Sequence, residues 1–182
     1  MWQFDDRRWS PGKLREGASC VEELPTVLPN PKAVRDMLLD LLGRDVEVAL
    51  GGPWAPTAKK PGTVAVYTDD RSKMRALVFC DLALSAAFGT AIALIPVGTA
   101  EDCIEARSLT QPVSENMYEI LNIVSAFFNL PGRPHLRLYG MYAPGESPAP
   151  DVSSQLRGFG NRLDLTVTVA GYGGGAMTAM VV

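Results

Sequence analysis

The most apolar stretch of the chain, residues 76–97, contains a single charged residue, Asp81, and that residue limits what the stretch can become. A helix crossing a bilayer needs about 20 predominantly apolar residues in a row. Here Asp81 interrupts the run early, and Ser85, Gly89 and Pro96 follow it. The pattern predicts a buried strand over residues 74–80 and then a helix that Asp81 caps. Small residues in that helix, Ala83, Ala86, Ala87 and Ala91, let it lie close to a sheet. Membrane insertion is not expected.

Other elements arrange themselves around this unit. Residues 63–68 read as the hairpin partner of residues 74–80, joined across residues 69–73. Upstream, Asn30 suits an N-cap, Pro31 a first helical position and Gly43 a C-terminal cap. Between them Val34, Met37, Leu38, Leu41 and Leu42 form one apolar stripe. Residues 45–50 alternate into a short strand that Gly51, Gly52 and Pro53 stop. Downstream, residues 98–109 read as a loop or a short helix. A longer helix is predicted over residues 113–129, where Val113, Met117, Ile120, Leu121, Val124, Phe127 and Phe128 recur at steps of three and four. Opposite that stripe lie Glu115, Glu119, Asn122 and, near the end, Asn129.

Residues 135–142, with Leu136, Leu138 and Tyr142, suggest a strand, and residues 144–160 a long turn-rich connection. Leu163, Leu165, Val167 and Val169 alternate with Asp164, Thr166 and Thr168, the pattern of a half-exposed strand. A glycine turn leads to a last strand over residues 177–182. Two rounds of helix, strand and hairpin strands are visible, one starting near Asn30 and one near Ser114. The expected class is α+β: an antiparallel sheet with long helices packed on it, in two pseudo-related halves. Residues 30–182 are read as a single domain. Residues 1–29, rich in proline and charge, are read as an irregular arm whose Trp2, Phe4 and Trp9 dock on the body.

Several functions fall away. The net charge of -3 gives no general attraction to nucleic acid. Cys20, Cys80 and Cys103 are widely spaced and His135 is the only histidine, so neither a zinc site nor a disulfide framework is expected. The thiols read as reduced and the protein as cytoplasmic, because Asp5, Asp6, Arg7 and Arg8 interrupt any signal-like run at the start. Cys80 and Cys103, in apolar surroundings, read as inert filling. Gly171, Gly173 and Ala176 spell GxGxxA after a strand, but no helix follows to meet a pyrophosphate, so the glycines make a turn. His135 has no sequence neighbours that complete a catalytic triad.

Glu119 and Asn122 are left. Three residues apart on a helix, they project side by side from the polar face. A carboxylate can engage a cation, and a carboxamide can both donate to and accept from a water. An amide is no strong base, but it can hold a water in line for attack on a phosphoryl group, where positioning supplies much of the catalysis. The same two residues also suit a helix face that is merely wet.

With Glu119-Ile120-Leu121-Asn122 as an ExxN motif, and the strand and proline of residues 136–144 following at nearly the expected distance, the chain resembles the CheC/CheX-type chemotaxis phosphatases. That family is related in fold to flagellar switch proteins. The resemblance covers residues 30–182 and implies an upstream half without the motif, with Asp36-Met37-Leu38-Leu39 standing in its place. Residues 74–92 are similar to the family's central strand and helix. Departures are Glu115 in place of a small acidic or hydroxyl residue, Ala126 in place of glycine, and the bulky Phe127 and Phe128, expected to alter how a partner docks.

The resemblance implies that the protein dephosphorylates the aspartyl phosphate of a CheY-like response regulator. Asn122 would orient the hydrolytic water and Glu119 would pair with the regulator's lysine. The Mg2+ ion would belong to the phosphorylated receiver domain, with no cofactor held by this chain. A homodimer is an expectation of the resemblance alone. Two alternatives stand beside it: a non-catalytic protein-interaction module of the same fold, and a small-molecule binder with a pocket under the Ala-rich helix.

Overall fold

A computed structural model describes residues 24–158 and 160–182. The expected docking of Trp2, Phe4 and Trp9 lies outside the described residues. Of the expected arm, residues 24–29 form no helix or strand, yet Thr26 is buried and Leu28 packs against the core.

Helix α1 (Pro31–Leu42) begins as its sequence predicts: the Asn30 side chain accepts the Ala33 amide at 2.8 Å, and Gly43 ends the helix at φ 61°. Strands β1 (Val46–Leu50), β2 (Gly62–Thr68) and β3 (Met74–Asp81) follow, then α2 (Leu82–Ala91) and α3 (Gly98–Ala106). The second half runs α4 (Gln111–Val124), β4 (Arg137–Tyr142), α5 (Pro150–Leu156), β5 (Asn161–Val169) and β6 (Gly173–Val181).

The six strands of the described residues join one antiparallel sheet in the order β1-β5-β6-β3-β2-β4. Each half therefore contributes a hairpin, β2–β3 or β5–β6, and the hairpins meet along β3 and β6 at the centre. Each half also sends its first strand across to the far edge of the other half's hairpin. The order reads the same from both edges, which is the duplication expected from the sequence.

One face of the sheet packs against α1, α2 and α4 in the main core. Helix α2 is buried on almost every side, because α4 and α3 pack on it as well as the sheet. Its carboxylate cap is shared: Asp81 Oδ1 accepts the Leu84 amide and Oδ2 the Ala176 amide of β6, both at 2.8 Å. A Cβ at Gly175 would run into that carboxylate. The last strand therefore starts at Gly173 and not at Met177, since glycine admits both the Asp81 carboxylate and, at Gly174, the crossing backbone of β5.

The opposite face carries a smaller core, in which Val64, Val66, Leu77, Phe79 and Met180 meet Val152 and Leu156. Those last two belong to α5, which lies inside the connection expected to be irregular. Its sequence signal is faint: Pro150 at the helix start, Asp151 in the first turn, and one apolar pair four residues apart. The ambiguous residues after Pro96 form α3.

Candidate functional site

Helix α4 presents the predicted pair. Its apolar stripe, Val113, Met117, Ile120, Leu121 and Val124, is buried, while Glu119 and Asn122 are both exposed. Neither side chain has a hydrogen bond or ion pair among the described residues. Nearby, Tyr118 and Ile123 remain 40% and 42% exposed, so apolar surface flanks the polar pair. Glu115 is engaged locally, accepting the Gln111 amide group at 2.9 Å.

What holds this helix still lies beneath it. Near its start, the Asn116 side chain donates to the Gly89 carbonyl of α2 at 2.7 Å. Gly89 has no alternative there, because a Cβ would enter the carbonyl and Cγ1 of Val113. Toward its end, α4 tightens into a 3₁₀ turn (Ser125–Phe127), and the Ser125 amide turns to the Asn122 carbonyl. The Leu121 carbonyl instead accepts the Tyr67 phenol of β2 at 2.7 Å. Leu121 lies between the two candidate residues in sequence, so this buried bond fixes the backbone that carries them. Burial pushes the Tyr67 hydroxyl well above its ordinary pKa, with the adjacent Cys80 adding to the shift, so it stays a donor.

Tyr67 and Asn116 were not singled out in the sequence. For Tyr67 a signal existed: a phenol inside an otherwise apolar strand needs a partner once buried. Asn129 was assigned to the polar face, but the helix has tightened before reaching it. Its carboxamide clamps Leu136, accepting that residue's amide at 2.7 Å and donating to its carbonyl at 3.0 Å. Phe127 and Phe128 are both buried, so they do not touch a docking partner; Phe128 packs on Tyr67 with ring centroids 5.4 Å apart.

The remaining candidates separate cleanly. His135 is exposed, and its Nε2 faces the Asn129 amide at 3.5 Å. Gly171, at φ 79°, lies in the turn between β5 and β6, and Gly173, at φ 91°, opens β6. Cys80 and Cys103 are buried free thiols, and burial, followed by the charge of Asp81, pushes the Cys80 thiol far up. Among the described residues no group of three or more His, Cys, Asp or Glu is arranged to hold a metal ion, and no helix is long and apolar enough to cross a membrane. Where a pocket was expected under the Ala-rich helix, every residue of α2 except Ala83 is buried.

Known structures bear on the fold. The chain is similar to FliM in the FliG–FliM complex from H. pylori, with TM-score 0.59 and 10% identity over 83% of this chain and 85% of that one. It is similar to the FliM middle domain from Vibrio alginolyticus, with TM-score 0.52 and 14% identity over 84% and 87%. The FliM–SpeE complex from H. pylori gives TM-score 0.51 and 13% identity over 83% and 80%. No family model matches the sequence, and no curated protein does. The fold is thus the CheC-like α+β fold, shared with the FliM middle domain.

Proposed function

We propose that this protein dephosphorylates the aspartyl phosphate of a CheY-like receiver domain, with α4 as the element that enters the partner. The reading is carried by one observation: Glu119 and Asn122 stand exposed and unpaired on a helix whose backbone is pinned from below. A pinned backbone with free side chains suits a group that must position a water in another molecule's site. Asn122 accepts a hydrogen bond from the water and aligns its oxygen with the phosphorus. As the water attacks, the bond from phosphorus to the aspartyl oxygen breaks, returning a carboxylate and inorganic phosphate. Glu119 pairs with the receiver's lysine and sets the register of the complex. The Mg2+ ion that offsets phosphoryl charge is the receiver's.

The test adds purified protein to phosphorylated receiver domains and follows phosphate release. Acceleration that Asn122→Ala removes, with the melting temperature unchanged, supports the proposal; unchanged release with a panel of receivers overturns it.

A second reading is a non-catalytic interaction module. It is supported by the exposed Tyr118 and Ile123 and by the complexes with FliG and SpeE in which FliM has been solved. A stable complex that forms equally with unphosphorylated partner, and does not accelerate release, decides for it.

A further inference from the structure

Away from α4, on the sheet face that α5 covers, lies a cleft of about 340 Å³. One wall is the loop before β2, with Ala55, Pro56 and Pro61; the other is the 145–148 turn and α5, with Pro148 and Leu156; Val64 forms the floor. The walls are built, not loose. Trp54 crosses above Gly62, where a Cβ would have no room, and meets Phe79 edge-on at 5.5 Å. Arg162 donates to the Trp54 carbonyl at 2.7 Å, and Arg107, which caps the end of α3, donates to the Ala58 and Lys59 carbonyls at 3.1 and 2.9 Å.

The lining carries two opposite charges, and they are held differently. Arg157 lines it, is exposed, and makes no ion pair among the described residues. Lys59 and Lys60 are exposed on the same loop as the first wall. Glu146 keeps its charge but is tied into its own turn, accepting the Ala143 amide at 2.7 Å. The Ser153 hydroxyl donates to the Pro148 carbonyl at 3.0 Å, which leaves its lone pairs free to accept. An apolar floor beneath an unpaired guanidinium is the chemistry that receives an apolar body with a carboxylate head.

We propose that this cleft binds a small organic anion with an apolar body, its carboxylate paired with Arg157. The site is independent of the α4 reading, since it lies on the other face of the sheet.

The test is titration of the full chain with sodium octanoate, followed by amide chemical shifts, with octanol and octylamine as uncharged and cationic controls. Saturable shifts confined to the cleft, at Gly62, Val64, Gly145 and Ser147, are expected. Arg157→Gln should weaken binding about tenfold or more, the size of one charge-assisted hydrogen bond, and Arg157→Lys should restore part of it. Because Arg157 is exposed, neither change threatens the fold. Failure to saturate, equal affinity for octanol, undiminished binding to Arg157→Gln, or shifts centred on α4 would each overturn the proposal.

Discussion

Helices α1 and α4 open the two halves of the same topological repeat, yet they spend their exposed polar groups differently. On α1, Asp36 takes both neighbouring cations, Lys32 at 2.5 Å and Arg35 at 2.8 Å, so that part of its outer surface is satisfied within the helix. On α4, Glu119 and Asn122 have no such partners among the described residues. Beneath the surface the contrast reverses. The inner face of α1 is held by Val34, Leu38 and Leu42, whereas α4 adds two polar anchors, the half-buried Asn116 to Gly89 and the buried Tyr67 to Leu121. The repeated topology supplies two similar scaffolds, and among the described residues only one combines directional anchoring below with unpaired chemistry above.

The sharpest way to break that contrast is kinetic. Asn122→Ala should slow receiver dephosphorylation about a hundredfold or more, the scale of losing a positioned reactant. Its stability should shift by less than about 0.5 kcal/mol, as for other exposed substitutions. Leu39→Ala, at the matching place on α1, should leave the rate alone. If the two variants behave alike in phosphate-release assays, the halves do not differ in function.

The predictions also mark how far the sequence could be read. Caps and stripes were legible because they are local: Asn30, Gly43 and the three-and-four spacing of α4 depend on neighbours within a turn or two. The exposed face of α4 followed from its buried one. The anchors were not legible, because Tyr67 and Leu121 are separated by 54 positions and meet only after β2 and α4 have packed. Helix α5 escaped for a different reason. Its two buried residues, Val152 and Leu156, are too few to establish a period, and packing on the second sheet face is what makes them helical. Likewise the glycines before Met177 looked like a continuing turn, since nothing local shows that Asp81, far upstream, occupies the space a side chain would need.

The anchors can be tested by stability. Gly89→Ala forces Val113 away from α2 and should cost about 1–3 kcal/mol, as overpacked cores do. Denaturant midpoints would show it, and the dephosphorylation rate should fall as α4 shifts. Tyr67→Phe keeps the ring on Phe128 but leaves the Leu121 carbonyl without its donor. A loss of about 1–2 kcal/mol is expected, near the lower range for a buried group left unsatisfied. A neutral result would mean that the helix end finds another donor, and that α4 is held no more firmly than α1.

Acid titration offers the smallest effect and a comparison within the first half. Asp69, in the turn between β2 and β3, is buried, which by itself would raise its pKa. The amides of Lys73 and Arg71 and the Arg75 guanidinium all donate to it, however, and together they hold its carboxyl below the ordinary 3.8. Asp36 is also held low, by its hydrogen bonds from Lys32 and then Arg35, but it is only half-buried, at the surface of α1. A carboxylate with a lowered folded pKa contributes stability above its unfolded value and loses it as pH falls through the folded one. Unfolding followed from neutral pH to below 3.8 should therefore show a shallower acid limb in Asp69→Asn than in the parent protein. Asp36→Asn should leave the limb almost unchanged, and high salt should remove what little difference remains, since exposed pairs are screened. Two acids with the same direction of shift would then part on the acid limb, because only Asp69 trades water for a closed set of donors at the base of a hairpin.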